Sequence, residues 1–222
     1  MHRVQQHCRR FQWYGKLDVR QYFASICHDR LLGLLSGKLK DKRLLALVGR
    51  ILEASPTEPG RGLSIGALTS QNFANFYLGT FDRYLLETLK VRGFVRYMDD
   101  VAWWCDSKSE VVAVAKQARA FLVGWLGLMA KEPMQINRSL HGIGFCGYRV
   151  FPGRLQLSKR RRKLYAAGRR RWERRYAEGK VTQHELQSAY SSLLGMTLHS
   201  DATSWRRGEL QRHPLVEACR DI

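Results

Sequence analysis

The chain has 222 residues, and its 38 lysines and arginines outnumber its 19 aspartates and glutamates, which gives a formal net charge of +19. A hydrophobic fraction of 45% is ordinary for a globular protein and excludes a chain that is disordered throughout. No run approaches the roughly 18 apolar residues of a membrane span, and the amino-terminal residues have no apolar signal-peptide core, so we expect a cytoplasmic protein. A charge this positive favours a polyanionic partner, nucleic acid first and an anionic membrane surface second.

Apolar spacing predicts the elements of the first part of the chain, with a period near 3.6 for helices and near 2 for strands. Helices are predicted over residues 28–36, 41–54, 69–89 and 109–125. Strands are predicted over residues 16–19, in a hairpin over 94–104, and over 135–137, 144–151 and 155–157, with a loop over 55–62. Strands and helices therefore alternate as far as about Leu157, where the composition changes.

A basic segment follows this change. Ten cations lie between Ser158 and Tyr176, and only Glu173 opposes them. The cations are Lys159, Arg160, Arg161, Arg162, Lys163, Arg169, Arg170, Arg171, Arg174 and Arg175. Helical spacing predicts one helix whose narrow apolar seam is formed by Leu164, Tyr165, Trp172 and Tyr176. Because so many like charges repel one another, a phosphate backbone is favoured as their partner over a solvated helix surface or a tail that folds on binding.

Three aspartates are candidates for chemistry. Asp99 and Asp100 lie between two apolar half-strands, and turn formation explains only one of them. Two carboxylates about 4 Å apart repel by about 4 kcal/mol at an effective dielectric constant of 20, and a divalent cation removes that penalty. Asp18 completes an oxygen-only ligand set of the kind Mg²⁺ prefers if its strand lies beside the hairpin. The alternative is three unrelated aspartates at strand ends, whereas a carboxylate site in a nucleic-acid-binding chain indicates phosphoryl transfer.

Four motifs, in this order along the chain, resemble those of a bacterial reverse transcriptase, an RNA-directed DNA polymerase. They are LDVRQYFASI at residues 17–26, GLSIGALTSQNFANFYL at 62–78, YMDD at 97–100 and GFCGY at 144–148. Within the second motif, Ile65, Gly66, Ser70 and Gln71 form an I-G-x-x-x-S-Q pattern that resembles reverse transcriptases of diversity-generating retroelements. The resemblance implies an α+β fold, in which a polymerase palm over residues 1–157, an RRM-like antiparallel sheet backed by helices, precedes a basic all-α thumb over residues 158–222.

The resemblance also implies the catalytic residues. Asp18 and Asp99 resemble the carboxylates that bridge two Mg²⁺ ions, for which Mn²⁺ is a possible substitute. Asp100 resembles the third acid, and the backbone carbonyl of Val19 resembles a further metal ligand. Phe23 resembles the steric gate that favours deoxynucleotides over ribonucleotides, and its alternative is an ordinary core aromatic.

Further binding residues follow from the same resemblance. Besides Phe23, the implied nucleotide-binding residues are Ile65, Gly66, Ser70 and Gln71, and an aliphatic residue at the first of these positions accompanies error-prone copying in retroelement relatives. The implied primer grip is a pair of strands that contains Phe145, Cys146, Gly147 and Tyr148. The implied duplex contacts of the thumb are Arg160, Arg161, Arg162, Arg169, Arg170, Arg171, Arg174 and Arg175. Lys131 lies near the loop that supplies a general-acid lysine in the family, and a solvated surface lysine is equally consistent with the sequence.

Only seventeen residues precede Asp18, where the family places a fingers subdomain, so the resemblance covers palm and thumb. We expect a reverse transcriptase of the bacterial cytoplasm whose partners are an RNA template, a DNA primer and deoxynucleoside triphosphates. One alternative is a truncated or split chain that binds RNA and DNA but is inactive without a separate fingers-containing chain. Another is a structural partner in a larger assembly.

Overall fold

The computed structural model describes residues 1–54 and 58–219, which form two compact units. The sheet unit comprises Arg10–Arg138, and the helical unit comprises Met1–Arg9 together with Ser139–Ile222. The domain boundary predicted at residue 157 falls inside the helical unit, which also contains the three strands that precede that residue. No helix in the described residues is both long enough and apolar enough to cross a membrane.

The elements follow in chain order. The α-helices are α1 (His2–Arg10), α2 (Tyr22–Ser25), α3 (His28–Ser36), α4 (Lys42–Glu53), α5 (Leu68–Arg83), α6 (Lys108–Phe121), α7 (Lys159–Ala177), α8 (Gln183–Gly195) and α9 (Thr203–Arg212). The strands are β1 (Trp13–Asp18), β2 (Gly93–Tyr97), β3 (Asp100–Cys105), β4 (Gln135–Arg138), β5 (Ile143–Phe145), β6 (Tyr148–Val150) and β7 (Leu155–Leu157). Single π-helical turns prolong α5 over Tyr84–Thr88 and α6 over Leu122–Leu126. The predicted helices are confirmed, with ends that differ by one residue at most, and the first three residues of the predicted loop over 55–62 lie outside the described residues.

Polar side chains set the starts of several helices. The carboxylate of Asp41 accepts hydrogen bonds from two backbone N–H groups in the first turn of α4. Ser107 and Glu110 form a reciprocal capping box at α6, and Thr182 and Glu185 form another at α8. These residues satisfy N–H groups that lack partners within the helix, which is why the helix starts are readable from local sequence.

The sheet unit is built on four antiparallel strands in the order β2-β3-β1-β4. Leu17 and Val101 on one face of the sheet join Phe81 of α5 and Val111 of α6 in a single buried cluster. The alternate residues of each strand face the opposite side. This arrangement of helices on an antiparallel sheet confirms the predicted α+β class.

Gly15 allows the indole of Trp103 to lie across β1. The two residues are direct cross-strand partners, and a Cβ atom added at Gly15 would lie 2.2 Å from the ring of Trp103. Trp103 is fully buried, so any larger residue at position 15 would have to displace a core side chain. This close packing holds β1 against β3 near the end of the sheet where Asp18 and Asp100 lie.

The helical unit contains a second antiparallel sheet, β5-β6-β7, followed by α7, α8 and α9. The prediction of one strand over residues 144–151, made from apolar spacing, is wrong, whereas the pair of strands that the family resemblance implies is present. Phe145 pairs with Tyr148, and between them Cys146 and Gly147 have φ angles of 45° and 80°. Two successive positive φ angles are typical of a two-residue hairpin turn, so the segment forms two strands instead of one.

The apolar seam predicted for α7 is correct in part, since Tyr165 is buried and Trp172 and Tyr176 are half-buried. The buried residues of the helix are Tyr165, Ala166, Arg169 and Glu173, whereas Leu164 is exposed. The side chains of Arg169 and Glu173 are each 1% exposed and form an ion pair with an N–O distance of 2.7 Å. A pattern that counts only apolar residues does not detect a buried charged pair, which explains the error.

Candidate active site

The register of β1 and β3 places the three predicted acids at one end of the sheet. Asp18, the last residue of β1, pairs directly with Asp100, the first residue of β3, so their side chains share a face. Asp99 lies in the two-residue turn between β2 and β3. Asp99 therefore adjoins the Asp18–Asp100 pair, and besides burial the Asp18 carboxyl group raises the pKa of Asp99.

An arginine outside the motifs holds this turn in place. Arg96 donates hydrogen bonds from Nε and Nη2 to the two carboxylate oxygens of Asp82 on α5, at 2.7 and 2.6 Å. Its Nη1 donates to the carbonyl of Met98 at 3.0 Å. Met98, directly before Asp99, has a φ angle of 55°, which is uncommon for a residue other than glycine. The bidentate pair therefore stabilises the backbone conformation that presents Asp99, and no local sequence signal links Arg96 to Asp82.

The environment of Asp99 and Asp100 disfavours their negative charge. Burial raises the pKa of Asp99 and the neighbouring Asp18 raises it further, while Lys131 opposes the shift. Burial also raises the pKa of Asp100, against the lowering effect of Lys16. The Oδ1 atoms of Asp18 and Asp100 are both buried and accept no hydrogen bond of good geometry from the described residues, so the Lys16 ammonium group acts on Asp100 as a nearby charge. A cation at this position would stabilise the ionised carboxylates.

Two lysines lie beside the acids. The Nζ atom of Lys131 is 2.8 Å from Oδ2 of Asp18, and this hydrogen bond raises the pKa of Lys131. The Nζ atom of Lys16 is 3.0 Å from Oδ1 of Asp100. Sequence reasoning missed Lys16, although its position two residues before Asp18 on the same strand face was a usable signal. As the side chains stand, no three His, Cys, Asp or Glu side chains in the described residues converge closely enough to hold a metal ion.

The backbone around Asp18 is tied to the segment that carries Lys131. The N–H of Lys131 donates to the carbonyl of Asp18, and the N–H of Arg20 donates to the carbonyl of Met129, both at 2.7 Å. Neither hydrogen bond uses the carbonyl of Val19, the predicted backbone ligand. The Val19 carbonyl oxygen is therefore not the acceptor of either of these two hydrogen bonds.

The predicted nucleotide-binding residues of the sheet unit lie in two connected segments. Phe23 is half buried and packs edge-on against Tyr22, with ring centroids 5.8 Å apart, so the packing fits both interpretations of this residue. The N–H of Leu63 donates to the carbonyl of Phe23 at 2.9 Å, which brings the second motif beside α2. Two residues later, the side chain of Ile65 is 89% exposed, and Gly66 has a φ angle of 100° that a larger residue would rarely adopt.

Three other predicted binding residues are buried. Ser70 lies on the inner side of α5, and Phe145 and Tyr148 lie inside the helical unit. Less than a tenth of the surface of each residue is exposed, so the structure does not support their predicted contacts with nucleotide or primer. Gln71 is exposed to solvent. In the β5–β6 hairpin, the two-residue turn is accessible to solvent, whereas the two aromatic residues are buried.

The predicted duplex contacts on α7 divide into three groups. Exposed arginines are Arg160, Arg170, Arg171, Arg174 and Arg175. Arg161 and Arg162 pack over aromatic rings, with guanidinium carbons 4.3 Å from the ring centroid of Tyr148 and 5.7 Å from that of Trp205. Arg169 is buried, so the prediction that it contacts nucleic acid is wrong. Inside the unit its Nη1 donates a hydrogen bond to the Glu173 carboxylate and its Nη2 donates one to the carbonyl of His213, each at 2.7 Å.

Sequence comparison connects the chain with proteins encoded in introns. No protein-family model matches it. It is 36% identical over 84 residues to an uncharacterized 91 kDa protein in the cob intron of Schizosaccharomyces pombe, a match that covers 35% of this chain and 10% of that protein. It is 29% identical over 82 residues to the group II intron-encoded protein LtrA of Lactococcus lactis, covering 34% of this chain and 14% of that protein. The matched segment thus spans about a tenth of the length of these curated relatives.

Comparison of structures covers nearly the whole chain. Telomerase from Candida tropicalis, in complex with the TWJ fragment of telomeric RNA, matches 95% of this chain and 42% of its own chain, with a TM-score of 0.54 and 12% sequence identity. The fold is telomerase-like. Telomerase from Candida albicans, in complex with the same kind of RNA fragment, matches with the same coverage and TM-score at 10% identity. The intron-encoded relatives and the telomerase-like fold both support the family resemblance that the four motifs predicted.

Proposed function

We propose that the protein is a reverse transcriptase that extends a primer 3′-hydroxyl with deoxynucleotides on an RNA template. The sheet unit serves as the palm, and the basic helices of the helical unit serve as the thumb. The observation that carries the proposal is the strand register, which pairs Asp18 with Asp100 and puts Asp99 in the adjoining turn, at one end of the sheet in a telomerase-like fold. Similarity to a group II intron-encoded protein and to telomerases in complex with RNA supports nucleic acid as the partner.

The residues at this site fit Mg²⁺. The potential ligands are oxygen atoms only, and a buried oxygen of Asp18 accepts no hydrogen bond from the described residues. Asp18, Asp99 and the carbonyl of Val19 would hold the metal, with Asp100 as the third acid. When bound, two Mg²⁺ ions, or Mn²⁺ in their place, activate the attacking hydroxyl and neutralise charge on the phosphates. Lys131, already hydrogen-bonded to Asp18, is the proton donor to the leaving pyrophosphate.

The direct test is primer extension by the purified protein on a DNA primer annealed to an RNA template, with Mg²⁺ and deoxynucleotides. We expect extension that stops when Mg²⁺ is removed. Salt-sensitive binding of the duplex without extension would contradict the polymerase function and leave a nucleic-acid-binding module. Sequencing of the products tests the narrower proposal of a diversity-generating retroelement enzyme, for which frequent misincorporation is expected.

Phe23→Ala is expected to raise incorporation of ribonucleotides relative to deoxynucleotides by about tenfold, the scale of one lost steric contact. The reason is that the ring would no longer exclude a ribose 2′-hydroxyl. The measurement is the ratio of kcat/KM for the two nucleotide types, with Tyr22→Phe as a control that keeps the neighbouring ring. An unchanged ratio in Phe23→Ala would assign this residue to the core alone.

The exposed face of α7 is expected to contact the phosphate backbone. Replacing Arg170, Arg171 and Arg174 by glutamine should reduce the slope of log K against log salt by about 2 to 3, since each lost phosphate contact accounts for about 0.9. The measurement is fluorescence anisotropy of a labelled RNA–DNA duplex at several salt concentrations.

A charge-matched control separates local contact from net charge. The triple replacement of Lys42, Arg43 and Arg50 by glutamine removes the same charge from the exposed side of α4. We expect it to leave the salt slope almost unchanged. An equal loss in both triple variants would show that binding depends on the overall charge and not on α7.

A further inference from the structure

We propose that Lys16 is a positioning residue of this site: its ammonium group holds and neutralises Asp100, which leaves Asp18 and Asp99 as the carboxylates that are open to a divalent cation. The inference rests on the metal-dependent function proposed above and goes beyond it by assigning different roles to the acids. It also identifies a lysine that tunes the affinity of the site for metal.

The register of the sheet places Lys16 to reach Asp100. Lys16 and Asp18 lie on the same face of β1, and the residue opposite Lys16 on β3 is the small, fully buried Ala102. The long side chain can therefore extend diagonally to Asp100, two residues earlier on β3, where the N–O distance is 3.0 Å. The side chains of Lys16 and Asp100 are 20% and 25% exposed, so solvent screens this pair only in part.

The other lysine of the site differs in burial. Lys131, which pairs with Asp18, has a side chain that is 54% exposed. A cation that approaches Asp18 can displace this ammonium group into water at little cost. Lys16 has far less access to solvent, so its charge stays beside Asp100 when a cation binds. The ion pair of Lys16 with Asp100 is therefore a fixed feature of the site, and that of Lys131 with Asp18 is replaceable.

Loss of the Lys16 charge should strengthen metal binding. Lys16→Met keeps the length of the side chain and leaves Asp100 as an additional, uncompensated acid. We expect the Kd for Mn²⁺, measured from the electron paramagnetic resonance signal of the free ion, to fall by about tenfold or more. Lys16→Arg keeps the charge and should retain the affinity of the unchanged protein, whereas a merely structural role of Lys16 predicts no gain in affinity for either variant.

A double variant tests the same inference without leaving an unpaired charge. Lys16→Met combined with Asp100→Asn has the net charge of the unchanged protein and should bind Mn²⁺ with the same Kd, because the neutralised pair contributes no ligand. Lys116→Met, on the exposed side of α6, removes one positive charge elsewhere in the sheet unit and should have no effect. Circular dichroism establishes that each variant is folded.

Three results would contradict the inference. Equal Mn²⁺ affinity in Lys16→Met and the unchanged protein, with binding lost in Asp99→Ala, overturns the role of Lys16 but keeps the metal site. Weaker binding in the double variant overturns it as well, because Asp100 would then be a ligand. No Mn²⁺ binding by either the unchanged protein or Lys16→Met overturns both this inference and the proposed function.

Discussion

Replacing Asp99 by alanine is expected to reduce primer extension by at least about a thousandfold, which corresponds to about 4 kcal/mol of lost transition-state stabilisation. Asp99 lies next to Asp18 in the turn that Arg96 holds, so the variant removes a carboxylate from the centre of the proposed metal site. The measurement is the single-turnover rate of nucleotide addition. Duplex affinity should stay the same or rise slightly, because the variant removes a negative charge and no phosphate contact.

A carboxylate elsewhere on the same hairpin provides the matched control. Asp106 directly follows β3, is exposed, and forms an ion pair with the exposed Arg92. We expect Asp106→Ala to extend primers at the rate of the unchanged protein. If Asp99→Ala still extends primers, the metal site is wrongly assigned. If Asp99→Ala loses duplex binding together with extension, the residue has a structural role and the assignment fails for that reason.

Replacing Glu173 by alanine is expected to lower the free energy of unfolding by about 3 to 5 kcal/mol, the cost of leaving one member of a buried ion pair without its partner. Within the part of the chain that the structure describes, Arg169 would keep only its hydrogen bond to the carbonyl of His213 and would carry an uncompensated charge in the interior. The hydroxyl of Tyr190 would also lose its acceptor, since it donates to the same Glu173 oxygen. Burial and this carboxylate both raise the pKa of Tyr190, so the group remains a neutral donor near pH 7. Urea unfolding followed by far-UV circular dichroism measures the change.

Glu178, at the end of the same helix, is the control for an exposed ion pair. Its carboxylate lies 2.8 Å from Nζ of Lys180 in solvent, and this contact lowers the pKa of Glu178. We expect Glu178→Ala to leave the unfolding midpoint unchanged, because water screens such a pair. Joint replacement of Arg169 by methionine and Glu173 by leucine should restore much of the lost stability. Equal stability of Glu173→Ala and Glu178→Ala would contradict the structural role of the buried pair.

The helices α3 to α7 were predictable from sequence because their signals are local, whereas α1, α2, α8 and α9 were not predicted individually. The spacing of apolar residues over a few turns gave the limits of α3 to α6 to within one residue, when the π-helical turns that prolong α5 and α6 are included. The four motifs, and the position of Asp99 in a turn between two apolar strands, indicated a candidate acid site before any contact was known. Prediction failed where conformation depends on a backbone angle, as at Cys146, or on burial, as at Arg169.

The sequence by itself therefore determined the order of the elements between residues 28 and 138 and the acids of the candidate site, because these signals are local, and the resemblance of the four motifs gave the α+β class. Only the tertiary structure decided which side chains meet: Lys16 with Asp100, Arg96 with Asp82, and Arg169 inside the helical unit. Lys16 and Asp100 are far apart along the chain, and no local sequence pattern around either residue indicates that the two are in contact. Their meeting depends on strand register, and the burial of Arg169 depends on the packing of the helical unit, which periodicity within one segment does not specify.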